Sequence, residues 1–148
     1  MPSLPICLIV RLGTVDYQLA WDLQVRLAQG VRAAEQPNTL LLLEHPPVYT
    51  RGRLSQPGHI LLTPGQLRER GISVYDTDRG GQVTYHGPGQ LVGYPVVDLR
   101  EWGGPLQYVR TLERIIIETM SDFEIPAAVV QGLTGVWAGG GKVAAIGL

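Results

Sequence analysis

Apolar positions fall along the chain in two rhythms, one typical of strands and one of helices. The run "ICLIV", Ile6 to Val10, is continuous and partly β-branched between Pro5 and Gly13, and it predicts a buried strand that opens the sheet. Tyr17, Ala20, Trp21, Leu27 and Val31 then recur at helical spacing, interrupted by Gln24, and Thr14 stands where it would cap that helix. Thr39 to His45 returns to strand character until Pro46 and Pro47, which cannot donate to a ladder; "VYTRG" resumes pairing past the break.

Residues 54–64 carry no clear period, after which "GQLRERG" predicts a short helix ended by Gly71, where a left-handed cap costs little. "ISVYDT" reads as a strand. "QVTYHG" and "QLVGYPVVDL" read as an antiparallel pair turning at "GPG". Pro105 suits a first helical turn, and Leu106, Val109, Leu112, Ile116 and Met120 follow at helical spacing. "AAVV" and "TGVW" precede a "GGG" turn at 139–141, and "KVAAIGL" completes a terminal hairpin. No repeat or low-complexity linker divides this order, so residues 1–148 are expected to form one domain of the α+β class, a mixed, largely antiparallel sheet with packed helices.

Composition narrows the function classes. Lys and Arg number 12 against 13 Asp and Glu, which leaves no broad positive field for nucleic acid. No stretch approaches the roughly 20 apolar residues of a membrane span, and the N-terminus lacks a basic region and cleavage site. A soluble, cytoplasmic protein without membrane contact is expected. Cys7 is the single cysteine, and its apolar neighbours place it in the core. His45, His59 and His86 lack metal-ligand spacing, so no metal is expected. There is no G-x-S-x-G elbow, and "GGGKVA" lacks Walker spacing.

The chemistry concentrates in Asp76 to Leu99, "DTDRGGQVTYHGPGQLVGYPVVDL". Gly80 and Gly81 let backbone N–H groups approach a ligand, Arg79 carries a fixed charge, Thr84 and Tyr85 carry hydroxyls, and His86 donates or accepts near neutral pH. Two readings stand on these residues alone: a polar ligand site, or hairpin glycines beside a hydrogen-bonded core histidine. Lys142 likewise reads either as an exposed hairpin lysine or as a catalytic amine.

"RGGQVTYHGPGQLVGYPVVDL" closely resembles the signature of the lipoyl (octanoyl) transferases, also called lipoate-protein ligase B. "EHPPVYTRGR" resembles that family's earlier segment, and "GVWAGGGKVAAIGL" its lysine-bearing hairpin. The resemblance implies the fold of biotin protein ligases and class II tRNA synthetases. It implies transfer of an octanoyl or lipoyl group from acyl carrier protein, through a cysteine thioester, to a lysine of a lipoyl domain, with neither ATP nor metal as cofactor. The implied recipients are lipoyl domains of 2-oxoacid dehydrogenases and the glycine cleavage H protein. Arg79, Gly80, Gly81, Gln82, Val83, Thr84, Tyr85 and His86 would line the acyl pocket. Lys142 matches the family's catalytic lysine, which tunes the cysteine, and Ala145, Ile146 and Gly147 match a further substrate-contacting stretch. Arg51, Arg53, Arg79 and Arg100 are candidates to receive an acidic carrier.

The family's following segment, with its histidine-glycine motif and "PCG" cysteine, is not in these 148 residues. The expectation is a C-terminally truncated transferase domain that does not turn over alone. Two alternatives remain: a non-catalytic acyl or carrier-protein binding module, and an ATP-dependent ligase of the lipoate or biotin type.

Overall fold

A computed structural model describes residues 6–148, Glu101 by its backbone alone. The bounding Pro5 and the N-terminal leader reading lie outside the described residues. The chain divides into two compact units, one ending at Asp98 and the other spanning Leu99–Leu148.

In the first unit, β1 (Cys7–Thr14) runs parallel to β2 (Asn38–Glu44), and α1 (Tyr17–Arg32) makes the crossover that parallel strands require. Asp16, rather than Thr14, caps α1: its carboxylate accepts from the Gln18 N–H at 2.9 Å, while Thr14 still belongs to β1. β2 alternates cleanly, with Thr39, Leu41 and Leu43 buried. Leu41, Leu43, Ala20 of α1 and Val92 form the core, with Val10, Leu12, Leu23 and Leu27 packed against it.

β1 is the edge of its sheet, whose order is β1-β2-β6, where β6 is Val92–Val96. The predicted strand is there, but it is not buried: Ile9 is 63% exposed, and Cys7 is exposed as well. An apolar run favours pairing without deciding whether both sides of the strand are covered. Only the residues of the inward pleat, Val10 and Leu12, reach the core; Cys7 and Ile9 alternate away from it.

A second sheet has the order β4-β3-β5, with β3 (Val48–Arg51), β4 (Ser73–Asp76) and β5 (Val83–His86). β3 and β4 are parallel, and α2 (Pro64–Glu69) lies in their crossover behind a capping box of Thr63 and Gln66. Gly71, at φ +64°, follows that helix as expected. The predicted β5–β6 hairpin does not form: β5 pairs antiparallel with β3, and β6 antiparallel with β2. The register passes from one pair to the other with a shift of one residue. A single two-stranded ribbon therefore bends at a corner, Pro46-Pro47 on one strand and Gly87-Pro88-Gly89 on the other. The Gly89 N–H donates to Glu44 Oε2 across that corner at 2.7 Å. "GPG" turns both strands together into a second sheet instead of folding one strand back on itself.

In the second unit, a 3-10 turn (Leu99–Trp102) leads into α3 (Pro105–Asp122), entered through Gly104 at φ +91°. Val109, Leu112, Ile116 and Met120 are half-buried as their spacing predicts, Leu106 is exposed, and the fully buried positions are Tyr108 and Glu113. β7 (Val136–Ala138) and β8 (Gly141–Ala144) make the terminal hairpin, with Gly139 and Gly140 both at positive φ in its turn. Residues 145–148 lie beyond β8. No helix among the described residues is long and apolar enough to cross a membrane.

Candidate functional site

The glycine loop joins β4 to β5 and folds around its own arginine. Arg79 Nη2 donates to Thr50 O at 2.8 Å, Thr50 Oγ1 at 2.9 Å and Gln82 O at 2.9 Å, while Nη1 donates to Gly80 O at 2.9 Å. The chain beyond β3 seals the other side, with N–H groups of Gly52, Arg53 and Leu54 donating to Gln82, Arg79 and Gly81 carbonyls. Two glycines are required for this closure. Gly81 sits at φ +83°, and a Cβ on Gly52 would stand 2.6 Å from Gly81 O. Burial lowers the Arg79 value from that of a free guanidinium, with Tyr17 and Tyr94 opposing, and the group stays charged. Arg79 is thus an internal strut that fixes the loop's shape.

Beside the loop lies a cluster of rings. His45 is fully buried, with ring centroids 5.3 Å from Tyr17, 5.7 Å from His86 and 5.9 Å from Tyr94; Tyr17 also packs on Tyr75 at 5.0 Å. His45 Nδ1 lies 2.7 Å from Val15 O, so it donates, and in the neutral ring Nε2 accepts from the Tyr94 hydroxyl at 2.9 Å. Burial pushes the Tyr17 hydroxyl up to about 12, with Arg79 lowering it and Asp78 raising it, and burial raises Tyr94 as well. Both tyrosines therefore remain hydroxyl donors near neutral pH.

His86 Nδ1 donates to Gln90 Oε1 at 2.6 Å, which leaves Nε2 as the acceptor of the neutral ring. Burial lowers its value from 6.5; the Gln90 hydrogen bond opposes that, and His45 and Arg79 lower it further. With two protonated tyrosines and two imidazoles, the cluster holds hydroxyl donors for a neutral carbonyl, such as that of an acyl thioester, and imidazole nitrogens that accept from N–H or O–H groups.

The lowered His86 value has a consequence for stability. Below 6.5 an unfolded chain binds a proton that the folded state resists, so the folded state loses stability as pH falls toward the lowered value. Thermal melts from about pH 7.5 to about pH 5 are expected to show a decline that begins near 6.5 and shrinks in His86→Gln. An equal decline in the variant would assign it to other groups.

The second unit holds Lys142, the only lysine in the sequence. Its Nζ donates to Thr134 O at 3.0 Å and lies 4.6 Å from the centroid of Trp137, its cross-strand neighbour. Gly135, at φ +124°, lets the preceding loop press on β8, since a Cβ there would meet Ala144 O at 2.5 Å.

The sequence-predicted residues separate by place. Thr84 and His86 alternate with Val83 and Tyr85 along β5, so the four face opposite sides; Tyr85 packs instead on Tyr49 at 5.2 Å. Gly81 and Gln82 are exposed, and Gly80 is half-buried. Lys142, Ala145 and Gly147 are exposed in the second unit, where Ile146 is half-buried. Of the four candidate arginines, Arg51 is ion-paired with Asp76 at 2.7 Å and Arg79 faces its own loop. Sequence reasoning missed Tyr17, His45, Thr50 and Tyr94. His45 stood in the "EHPPVYTRGR" match, immediately before the proline corner. Among the described residues no three His, Cys, Asp or Glu side chains gather as a metal would require.

A family model described as the lipoyl protein ligase A/B catalytic domain matches residues 16–148. A protein named octanoyltransferase from Gloeobacter violaceus is 47% identical over 144 residues, covering 96% of this chain and 63% of that protein. One of the same name from Mycobacterium leprae is 47% identical, covering 99% of this chain and 63% of its own length. The chain thus spans under two thirds of these relatives. Among solved structures, P. falciparum LipL1 in complex with lipoate superposes with a TM-score of 0.65 at 16% identity, over 93% of this chain and 42% of that one. Lipoate-protein ligase A bound with ATP gives 0.58 at 15% identity, over 92% and 57%. At such identities the likeness is one of fold.

Proposed function

The chain belongs to the lipoyl protein ligase A/B catalytic-domain family, and from that membership we propose that it forms the larger part of an octanoyltransferase. The observation that carries this reading is the 47% identity, across 96% of the chain, with a protein of that name. The family model spans both compact units, which supports treating them as parts of one catalytic domain.

In this reading a thiolate attacks the carbonyl of octanoyl-acyl carrier protein, forming an enzyme thioester as the carrier thiolate departs and takes a proton from the Lys142 ammonium, which the attacking amine of the next step restores. The amine of a lipoyl-domain lysine then attacks that thioester; the amide forms, and the cysteine leaves as thiolate. The glycine loop and the His45–His86 cluster hold the acyl thioester in the first unit. Lys142 favours the thiolate and exchanges protons with the incoming amine. The only thiol in these 148 residues is Cys7, which pairs with Asn38 at the far end of β2 from His45, so the nucleophile is assigned to the length of the relatives that this chain does not span. Residues 1–148 alone are accordingly expected not to turn over.

The donor distinguishes this reading from that of an ATP-dependent ligase. With the chain extended to the length of its octanoyltransferase relatives, lipoyl-domain mass is followed with octanoyl-carrier protein in one arm and free octanoate with ATP in the other. Modification in the carrier arm supports the transferase; modification only with ATP replaces it with the ligase.

A further inference from the structure

Glu113 is buried in the middle of α3, 1% exposed, a costly place for a carboxylate unless both oxygens are satisfied. Both are. Oε2 accepts from Arg110 Nη1 at 2.6 Å, and Oε1 accepts from the Gly135 N–H at 3.0 Å. Burial alone would raise this carboxyl, but the Gly135 amide and Arg110 outweigh it and hold it below the ordinary glutamate value.

The Gly135 N–H belongs to the same peptide unit as the Thr134 carbonyl, and that carbonyl accepts from Lys142 Nζ at 3.0 Å. One amide group is therefore gripped at its N–H end by a buried carboxylate and at its C=O end by an ammonium. The two charges polarise the peptide in the same sense, so each hydrogen bond strengthens the other. Gly135 makes the arrangement possible, because any Cβ there would strike Ala144 O.

We propose that Glu113 is a positioning residue for Lys142, acting through the Thr134–Gly135 peptide. Without the carboxylate, the buried Gly135 N–H loses its acceptor, the peptide is free to rotate, and its carbonyl leaves the lysine. The mechanistic use of that positioning rests on the reading of Lys142 given above. The positioning itself is measurable without turnover, so the two claims fail separately.

The single lysine makes the measurement unambiguous. The 148-residue chain is treated with a limiting amine acylating reagent, and modification of Lys142 is timed by peptide mass spectrometry against a short unstructured peptide of the same local sequence. Wild type is expected to react about tenfold more slowly than the peptide, the lower end of the scale for one hydrogen bond to a charged group. Glu113→Ala, which removes the acceptor of the Gly135 N–H, is expected, with its fold checked by circular dichroism, to react close to the peptide's rate. Glu113→Gln keeps one acceptor oxygen without the charge and should fall between it and wild type. Glu113→Asp keeps the charge on a shorter side chain and should also fall between them, whereas a role in packing alone would leave Lys142 equally protected in every folded variant. If Glu113→Ala does not fold, wild type, Glu113→Gln and Glu113→Asp still decide. Wild-type reaction at the peptide's rate, or a folded Glu113 variant that keeps full protection, overturns the proposal.

Discussion

Lys142→Met, in a chain extended to the length of its octanoyltransferase relatives, is expected to lower octanoyl transfer by about 10²-fold or more, the usual contribution of a positioned proton-transfer group. Methionine keeps an unbranched apolar side chain of similar length and removes the ammonium that sits over Trp137. Thr134 O, the acceptor left behind, lies on an exposed residue and can bond to water, so the fold is expected to survive. The loss should be in the rate of chemistry, with the lipoyl-domain KM changed little. Alkylation of the nucleophilic thiol should shift to higher pH in the variant, because a nearby cation stabilises the thiolate. Transfer at the wild-type rate would reduce Lys142 to a hairpin residue.

Gly52→Ala is expected to destabilise the first unit by about 2–3 kcal/mol, at the upper range for forcing atoms into a packed site. The added methyl would stand 2.6 Å from Gly81 O and 3.0 Å from Gln82 O, both backbone atoms, and 2.8 Å from Arg79 Nη1. Relief requires the loop to move off β3, which breaks the Gly52 N–H bond to Gln82 O and unseats Arg79 from Thr50. Gly58→Ala is the control for position outside this contact: nothing lies within 4 Å of its Cβ, although its φ of +91° brings backbone strain of its own. Urea unfolding checks the result, and a Gly52→Ala midpoint equal to wild type would show that the loop is not closed by this contact.

Local sequence carried much of the fold. α3 is legible because Pro105 marks its first turn and the half-buried positions Val109, Leu112, Ile116 and Met120 repeat at helical spacing. The β7–β8 turn is legible because consecutive glycines supply its positive φ values. What stayed hidden depends on distant partners. Nothing local to "QVTYHGPGQLVGY" says that its two strands pair with β3 and β2 rather than with each other, since that choice follows from the proline corner forty residues earlier. The edge position of β1, and with it the exposure of Cys7, is a property of sheet order and not of apolar content.

The candidate site divides in the same way. Arg79 and His86 were visible as residue types, but the inward turn of Arg79 onto Thr50 required tertiary structure. His45 and Tyr94 meet because strands far apart in sequence and helix α1 bring them together. Glu113 left one readable trace, an acidic residue four positions after Val109 and three before Ile116 on the inward side of a helix.

Octanoyl transfer through an enzyme thioester is tested most directly by a single-turnover experiment. The extended chain, octanoyl-carrier protein and a lipoyl domain are mixed without ATP, quenched at intervals, and all three proteins are weighed intact. The expected result is an octanoyl adduct on the enzyme that rises first and decays as the lipoyl domain gains the same mass, with no transfer by residues 1–148 alone. A lipoyl domain that is modified only when ATP is added, or by residues 1–148 alone, would contradict it.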